Sequence, residues 1–366
     1  MKIIFLTSTP LPIHLGKMLK IDQLLKYNID VEIWNLESLF FEKKSVQSYY
    51  KNKKIRFNFK KYYNINSLKT LEKKLHKNKK YYFIHLTKYH QLINDDLLIR
   101  KLNKFKIKYL VSNFDPRDLY YQFKDFLKFP LRFVKRKLRY NCFSPKAIIT
   151  SGSSGDTDAN LFFPKTTVLS IPSIKVNWKK TKKIIKQKYI CFIDENIGFS
   201  PDAHLLNITQ SDNISLYYKN IKKLFNKIEK WYNLKIIVGA SGKHIYKNKK
   251  KFFGNRKIIY RNTLNLIQNS EFVIAHGSLA IDQAFVSKKH ILTIDERSLT
   301  KLKKKDWIYY DNFLKNKRLY TDEIKKKNID QLLKINLDYY TDYIKKYLKK
   351  ERVKKSFSEI IFDYSK

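Results

Sequence analysis

Short apolar runs alternate with amphipathic stretches along most of this chain. Lys2 is followed by Ile3-Ile4-Phe5-Leu6, a continuous run that reads as a buried strand. Residues 15–27 then place Leu15, Met18, Leu19, Ile21, Leu24 and Leu25 at helical spacing. Further strands are predicted over 30–34, 81–86, 109–113 and 147–150. Strands separated by helical patterns need crossover connections, so this half predicts a doubly wound parallel sheet. The lysine-rich stretch 51–61 interrupts the pattern and reads as strand and loop with little core.

A boundary is predicted near 172–188, where Ser173-Ile174-Lys175-Val176-Asn177-Trp178 gives way to a lysine run. A second alternating series follows, with strands over 189–194, 235–239, 257–260, 272–275 and 290–294. Helices are predicted over 216–232, 263–269 and 279–286. The expected organisation is a first domain over 1–172, a linker over 173–188, a second domain over 189–320 and a basic helical tail over 321–366. Ile324, Ile329, Leu332, Leu333, Ile335 and Leu337 are available for packing in that tail. By architecture alone, the tail is expected to return to the first domain. Two such halves are expected to hold a ligand between them, beyond the carboxyl ends of the strands.

At 366 residues the chain is long enough for two domains, and 43% hydrophobic residues exclude a disordered chain. Cys142 and Cys191 stand far apart and form no metal or redox motif, which points to a reducing, cytoplasmic compartment. The N-terminal apolar run is too short for the core of a signal peptide. No apolar run reaches the roughly eighteen residues that a spanning helix requires.

The net charge of +45 changes the picture more. It suits an acidic partner: nucleic acid, anionic headgroups or a phosphorylated substrate. It also follows from a composition heavy in Lys, Asn, Ile, Tyr and Phe, of the kind an AT-rich genome produces. Attachment to the inner face of the cytoplasmic membrane is the expectation if the charge is functional. Residues 126–140 mix aromatic and basic side chains, and read either as an interfacial segment or as a crossover helix.

The sharpest chemical candidate is a strand ending at Ala275, the turn His276-Gly277-Ser278, and a helix starting near Ser278 or Leu279. Gly277 permits a sharp turn and close backbone approach, and Ser278 suits the cap of a helix. Free N–H groups in the first turn and the helix dipole make an anion site, to which His276 is placed to donate. The same pattern also occurs as a capped junction with no ligand. Ser278→Pro or Gly277→Val is expected to abolish binding there and leave the fold largely intact.

Asp194-Glu195-Asn196 ends another strand, placing carboxylates for sugar hydroxyls or acid–base chemistry, or merely capping a loop. Lys243 and His244 follow Gly239-Ala240-Ser241-Gly242 at a spacing that fits no P-loop. In the first domain, the polar stretches 7–14, 113–118 and 151–156 each follow a strand. Asp115 and His14 are the candidates there for a general base. No metal site is read from the sequence.

Three stretches carry a resemblance. They are Phe192-Ile193-Asp194 with Ser200-Pro201-Asp202, the block Tyr218…Phe225…Glu229…Tyr232, and Phe253-Gly254-Asn255-Arg256…Thr263…Leu266 leading to His276-Gly277-Ser278-Leu279-Ala280. Together they resemble bacterial glycosyltransferases of the GT-B fold that build surface polysaccharides. The resemblance covers roughly 189–294; ahead of it only the pattern matches. Such proteins often carry His-Pro where Ser241-Gly242 stands and His where Ser200 stands. If those histidines hold the donor's phosphate or nucleotide, this chain is expected to use His244 or His204 instead, to bind a different donor, or to have weakened activity.

The resemblance implies an α/β chain of two Rossmann-like domains facing across a cleft, with the acceptor bound by the first and a nucleotide sugar by the second. The implied donor-binding set is His276, Gly277, Ser278, Lys243, His244, Arg256, Asp194 and Glu195. The implied reaction moves a sugar from that donor to a lipopolysaccharide, capsule or related glycan, without metal or cofactor. Nucleotide-sugar epimerases share the layout, and Asp194, Glu195 and Asp202 are the carboxylates such chemistry would use. A nucleic-acid-binding role has only the charge in its favour, and no specific nucleic acid partner is expected.

Overall fold

Apolar runs that are buried on both faces become parallel strands, and two separate sheets form this way. The computed structural model describes residues 1–9, 11, 13–41, 58–86, 98, 100–112, 145–162, 164–200, 203, 208–240, 242, 244–301, 307–315 and 317–365. Asp115, Lys243, Asp202, His204 and the stretches 51–57, 113–118 and 126–140 lie outside these residues. The chain divides into two units, Met1–Ile174 with Ile344–Lys366, and Lys175–Tyr343.

The first unit holds β1 (Lys2–Thr7), β2 (Asp30–Asn35), β3 (Tyr62–Asn64), β4 (Tyr82–His85), β5 (Lys108–Ser112), β6 (Ala147–Ser151) and β7 (Thr167–Ile171). They form one parallel sheet in the order β3-β2-β1-β4-β5-β6-β7. Sequence pattern misses β3 and β7, and both are edge strands with little burial: only Ile171 of β7 is fully buried. The helix expected over 15–27 divides into Ile13–Met18 and Ile21–Lys26, because Lys20 takes a left-handed conformation with φ of 50°. One face of the sheet packs Phe5, Leu24 and Ile33 with Phe357 and Ile361 of the helix Phe357–Ser365. The other packs Leu6, Trp34, Phe83 and Tyr109.

The second unit holds β8 (Tyr189–Asp194), β9 (Lys235–Ala240), β10 (Ile258–Tyr260), β11 (Val273–Ala275), β12 (Ile291–Asp295) and β13 (Leu319–Tyr320). These are parallel in the order β10-β9-β8-β11-β12-β13. The helix Ile214–Tyr232 is capped by Asn213, whose Oδ1 accepts from Leu216 N at 2.9 Å, and ends where Asn233 turns left-handed. Its Tyr217, Ile221, Leu224, Phe225 and Ile228 face the core with Ile190, Phe192 and Val238. Ile324, Ile329 and Leu332 join the same core, so residues 321–343 pack in this unit and 344–366 in the first. In both sheets the strand order reverses beside the first strand of the unit, between β1 and β4 and between β8 and β11. Ligands of open α/β sheets collect at such points. Among the described residues, no helix is long and apolar enough to cross a membrane.

Gly152 shows how the C-terminal segment constrains the first unit. Its φ is 68°, and an added Cβ would lie 2.4 Å from the Lys346 carbonyl oxygen. Gly152→Ala is therefore expected to lower the unfolding free energy by more than about 1 kcal/mol, read from urea denaturation.

Candidate functional site

Six buried residues of β8 end at Asp194, and the chain then turns through Asn196 (φ 54°) and Gly198 (φ 77°). β11 lies beside β8 and ends at Ala275, one residue before His276. Here the Gly277 N–H donates to Glu195 Oε1 at 2.7 Å, joining two stretches 82 residues apart. Asp194-Glu195 and His276-Gly277-Ser278 thus meet at the reversal point of the second sheet. Glu195 and Ser278 are half-buried there, whereas Asp194, His276 and Gly277 are buried.

Asp194 accepts from Asn196 N at 3.0 Å and from the Tyr246 hydroxyl at 2.8 Å. Burial pushes its carboxyl up to about 7, against the pull of those two hydrogen bonds and with a smaller push from Glu195. The Tyr246 hydroxyl lies 3.1 Å from that of Tyr218, which donates to the Ile197 carbonyl at 3.0 Å. Burial raises both phenols above their ordinary range. A further carboxylate, Glu296, follows β12 and accepts from Asn220 Nδ2 at 2.7 Å, from Ser298 N at 2.8 Å and from the Ser298 hydroxyl. The same strand-end reasoning that selects Asp194 would have found Glu296.

His276 is placed differently from the expectation. Its ring is fully buried, with Nε2 paired to the Tyr217 hydroxyl at 2.9 Å and Nδ1 to the Ile294 carbonyl at 2.9 Å. A carbonyl only accepts, so Nδ1 carries the hydrogen. The ring also stacks on Trp307, at 4.9 Å between centroids. Arg318 donates from Nη1 to the carbonyls of His276 (2.6 Å) and Ile294 (3.0 Å), while Nε and Nη2 grip Asp311. Both ring nitrogens therefore serve the fold rather than a phosphate. No sequence pattern marked Trp307 or Arg318.

The helix after the turn also differs: it spans Ile281–Val286, its N-cap is Ala280, and no side chain caps it. Ser278 Oγ instead accepts from Ala280 N at 3.3 Å. Gly277's N–H, expected to be free for an anion, is taken by Glu195.

Of the remaining candidates His244 stands beside this cluster, its ring meeting that of Tyr246 edge-on at 4.8 Å between centroids. His244 is half-buried, its ring stacked on Phe199 at 4.6 Å, and burial lowers its imidazole below the usual value. Arg256 precedes β10, an edge strand separated from β8 by β9, and its Nη2 binds Asn226 Oδ1 and Glu229 Oε2, each at 2.7 Å. That pairing corrects its expected place in the donor set. His14 lies in the helix Ile13–Met18. The chain's one Asp-x-Asp, Asp156-Thr157-Asp158, lies in the helix Gly152–Phe162, and its Asp156 binds Thr150, Ser170 and Lys350. Among the described residues no group of three or more His, Cys, Asp or Glu is disposed to hold a metal ion.

Two consequences are measurable. An added Cβ at Gly277 would lie 1.8 Å from Trp307 Cδ1, so the expectation that substitution there spares the fold is corrected. Gly277→Ala is expected to cost about 1–3 kcal/mol or more in a denaturant titration. Asp194 holds its proton in the folded chain up to about 7, while the unfolded chain releases it near 3.8. Folding then binds a proton between those values, and the unfolding free energy falls as pH rises through that window, by at most about 1.4 kcal/mol per pH unit. Asp194→Asn is expected to remove this part of the slope, checked by titrating both proteins across the window.

No protein-family model matches the chain, and no curated protein matches it in sequence. Among solved structures it is similar to the UDP-GlcNAc 2-epimerase of Methanocaldococcus jannaschii in complex with UDP-GlcNAc and UDP. The TM-score is 0.53 and the identity 16%, over 100% of this chain and 99% of that one. It is also similar to the glycosyltransferase SnogD of Streptomyces nogalater, with a TM-score of 0.53 and 8% identity over 94% of each chain. A third is the spinosyn forosaminyltransferase SpnP, with a TM-score of 0.51 and 10% identity over 100% of this chain and 98% of that one. Identities this low speak for the fold alone, and with the two parallel sheets they show it: the chain has the GT-B fold, built from two Rossmann-like domains.

Proposed function

We propose that the protein is a glycosyltransferase that moves a sugar from a nucleotide-sugar donor to a lipopolysaccharide, capsule or related surface glycan. The observation that carries this reading is the meeting of Glu195 with Gly277 at the reversal point of the second sheet. Open α/β sheets bind nucleotides at that place. A carboxyl group repels phosphate and suits hydroxyls, so Glu195 is assigned to a hydroxyl of the donor. Ser278, Lys243 and His244 are assigned to its phosphate side, where they would steady the charge that develops on the leaving nucleotide. Asp115 is proposed as the base that takes the acceptor's proton, with His14 as the other candidate. The nucleotide sugar is a substrate, and the proposed reaction uses no cofactor.

A second reading, epimerisation of the nucleotide sugar, is favoured by Asp194. A carboxyl that holds its proton up to about 7, beside a second carboxyl group, is the kind of pair that removes and returns protons.

Incubation with a panel of nucleotide sugars tests both readings. Transfer is expected to release free nucleotide only when a glycan acceptor is added. Conversion of the donor without any acceptor would select epimerisation, and no thermal stabilisation by any nucleotide sugar would overturn both. Glu195→Ala is expected to weaken donor binding about tenfold or more, read from the same stabilisation series.

A further inference from the structure

Residues 175–188 precede β8 and form neither helix nor strand, yet side-chain amides hold their backbone. Gln283 accepts from Asn177 N at 2.6 Å and donates to the Asn177 carbonyl at 3.3 Å. Gln268 accepts from Thr181 N at 2.7 Å and donates to the Lys179 carbonyl at 3.0 Å. Asn265 donates to the Lys182 carbonyl at 2.8 Å. Backbone groups outside regular structure need such partners, and these three pin the segment as a strap on the helices Thr263–Asn269 and Ile281–Val286.

Six of the ten residues 179–188 are lysines, and all six are exposed. No acidic residue occurs between Asp158 and Asp194. Among the described residues none of the six forms an ion pair. A seventh cation joins them: burial, with Lys183 and Lys180 close by, lowers the Lys289 ammonium against an opposing pull from Glu271. Within this strip Ile184 is 44% exposed, between Lys182-Lys183 and Lys186.

We propose that residues 179–188 dock the protein on an anionic lipid bilayer, with the lysine ammonium groups on headgroup phosphates and Ile184 at the boundary with the acyl chains. A fixed cationic strip loses little further freedom on docking, and an apolar side chain among lysines suits an interface better than a solvated surface. Nucleic acid fits less well, because residues 179–188 hold no aromatic side chain on which a base could stack, and the neighbouring Trp178 is half-buried. The docking is independent of the proposed chemistry, since vesicle binding needs no substrate.

The rival surface is the row Lys219, Lys223, Lys227 and Lys230, exposed along the helix Ile214–Tyr232. Two variants of the full chain separate them: Lys179→Gln, Lys180→Gln, Lys182→Gln, Lys183→Gln in one, and the same four-fold replacement of the helix row in the other. Sedimentation with phosphatidylcholine vesicles containing about one third phosphatidylglycerol, at about 0.15 M salt, is the measurement. The strap variant is expected to lose between about a hundredfold and a thousandfold in partitioning and the helix variant less than about tenfold. Ile184→Trp is expected to add blue-shifted emission over the wild type when vesicles are present. Equal losses in the two variants, no vesicle binding by the wild type, or no emission shift would overturn the proposal. Tighter binding to duplex DNA than to vesicles, lost in the strap variant, would also overturn it.

Discussion

The carbonyl oxygens of His276 and Ile294, at the carboxyl ends of neighbouring strands β11 and β12, set the arrangement around them. A guanidinium reaches both, and the His276 ring adds a second donor to Ile294. Arg318 can be fixed there because Asp311 holds its other face, with the Trp307 ring beneath the guanidinium carbon at 4.9 Å. Trp307 in turn stacks on His276 and leaves no space for a side chain at position 277. In the same arrangement the Gly277 N–H stands where Glu195 accepts from it.

That clasp alters the chemistry offered at the reversal point. An empty strand–turn–helix junction presents free amide hydrogens and attracts anions. Here the first of those amides is matched to a carboxyl group, and the following helix is a short one without a side-chain cap. Asp194 lies buried behind Glu195 with Tyr246 and Asn196 as partners. The local field is therefore more acidic than the glycine–serine turn alone would suggest, inside a chain whose net charge is +45. Hydroxyl groups are the natural neighbours of such a surface, and this is why the proposed donor contact at Glu195 is to a hydroxyl.

Much of the fold is legible in the chain because parallel strands buried on both faces leave unbroken apolar runs. Tyr-Ile-Cys-Phe-Ile-Asp reads as a strand and is one over the same six residues, Tyr189–Asp194. The edge strands leave no such trace: β3 and β7 are half-covered, so their residues need not be apolar. Polar strand ends were equally legible as candidates, and Asp194, Glu195 and Gly277 do converge. What the pattern could not distinguish was a polar residue facing a ligand from one serving the core, as His276 and Arg256 show.

By itself, then, the amino-acid order determined the alternating α/β layout and the positions where polar residues would end strands. These are local properties, carried by side-chain periodicity and turn chemistry within short windows. Tertiary structure alone decided which strand ends became neighbours, that Trp307 would occupy the space beside Gly277, and that Arg318 would bind the carbonyls of His276 and Ile294. Those contacts join residues tens of positions apart, and nothing in a local window encodes which of them will meet. Whether the turn at His276-Gly277-Ser278 offers its amides or hides them was settled there, by packing.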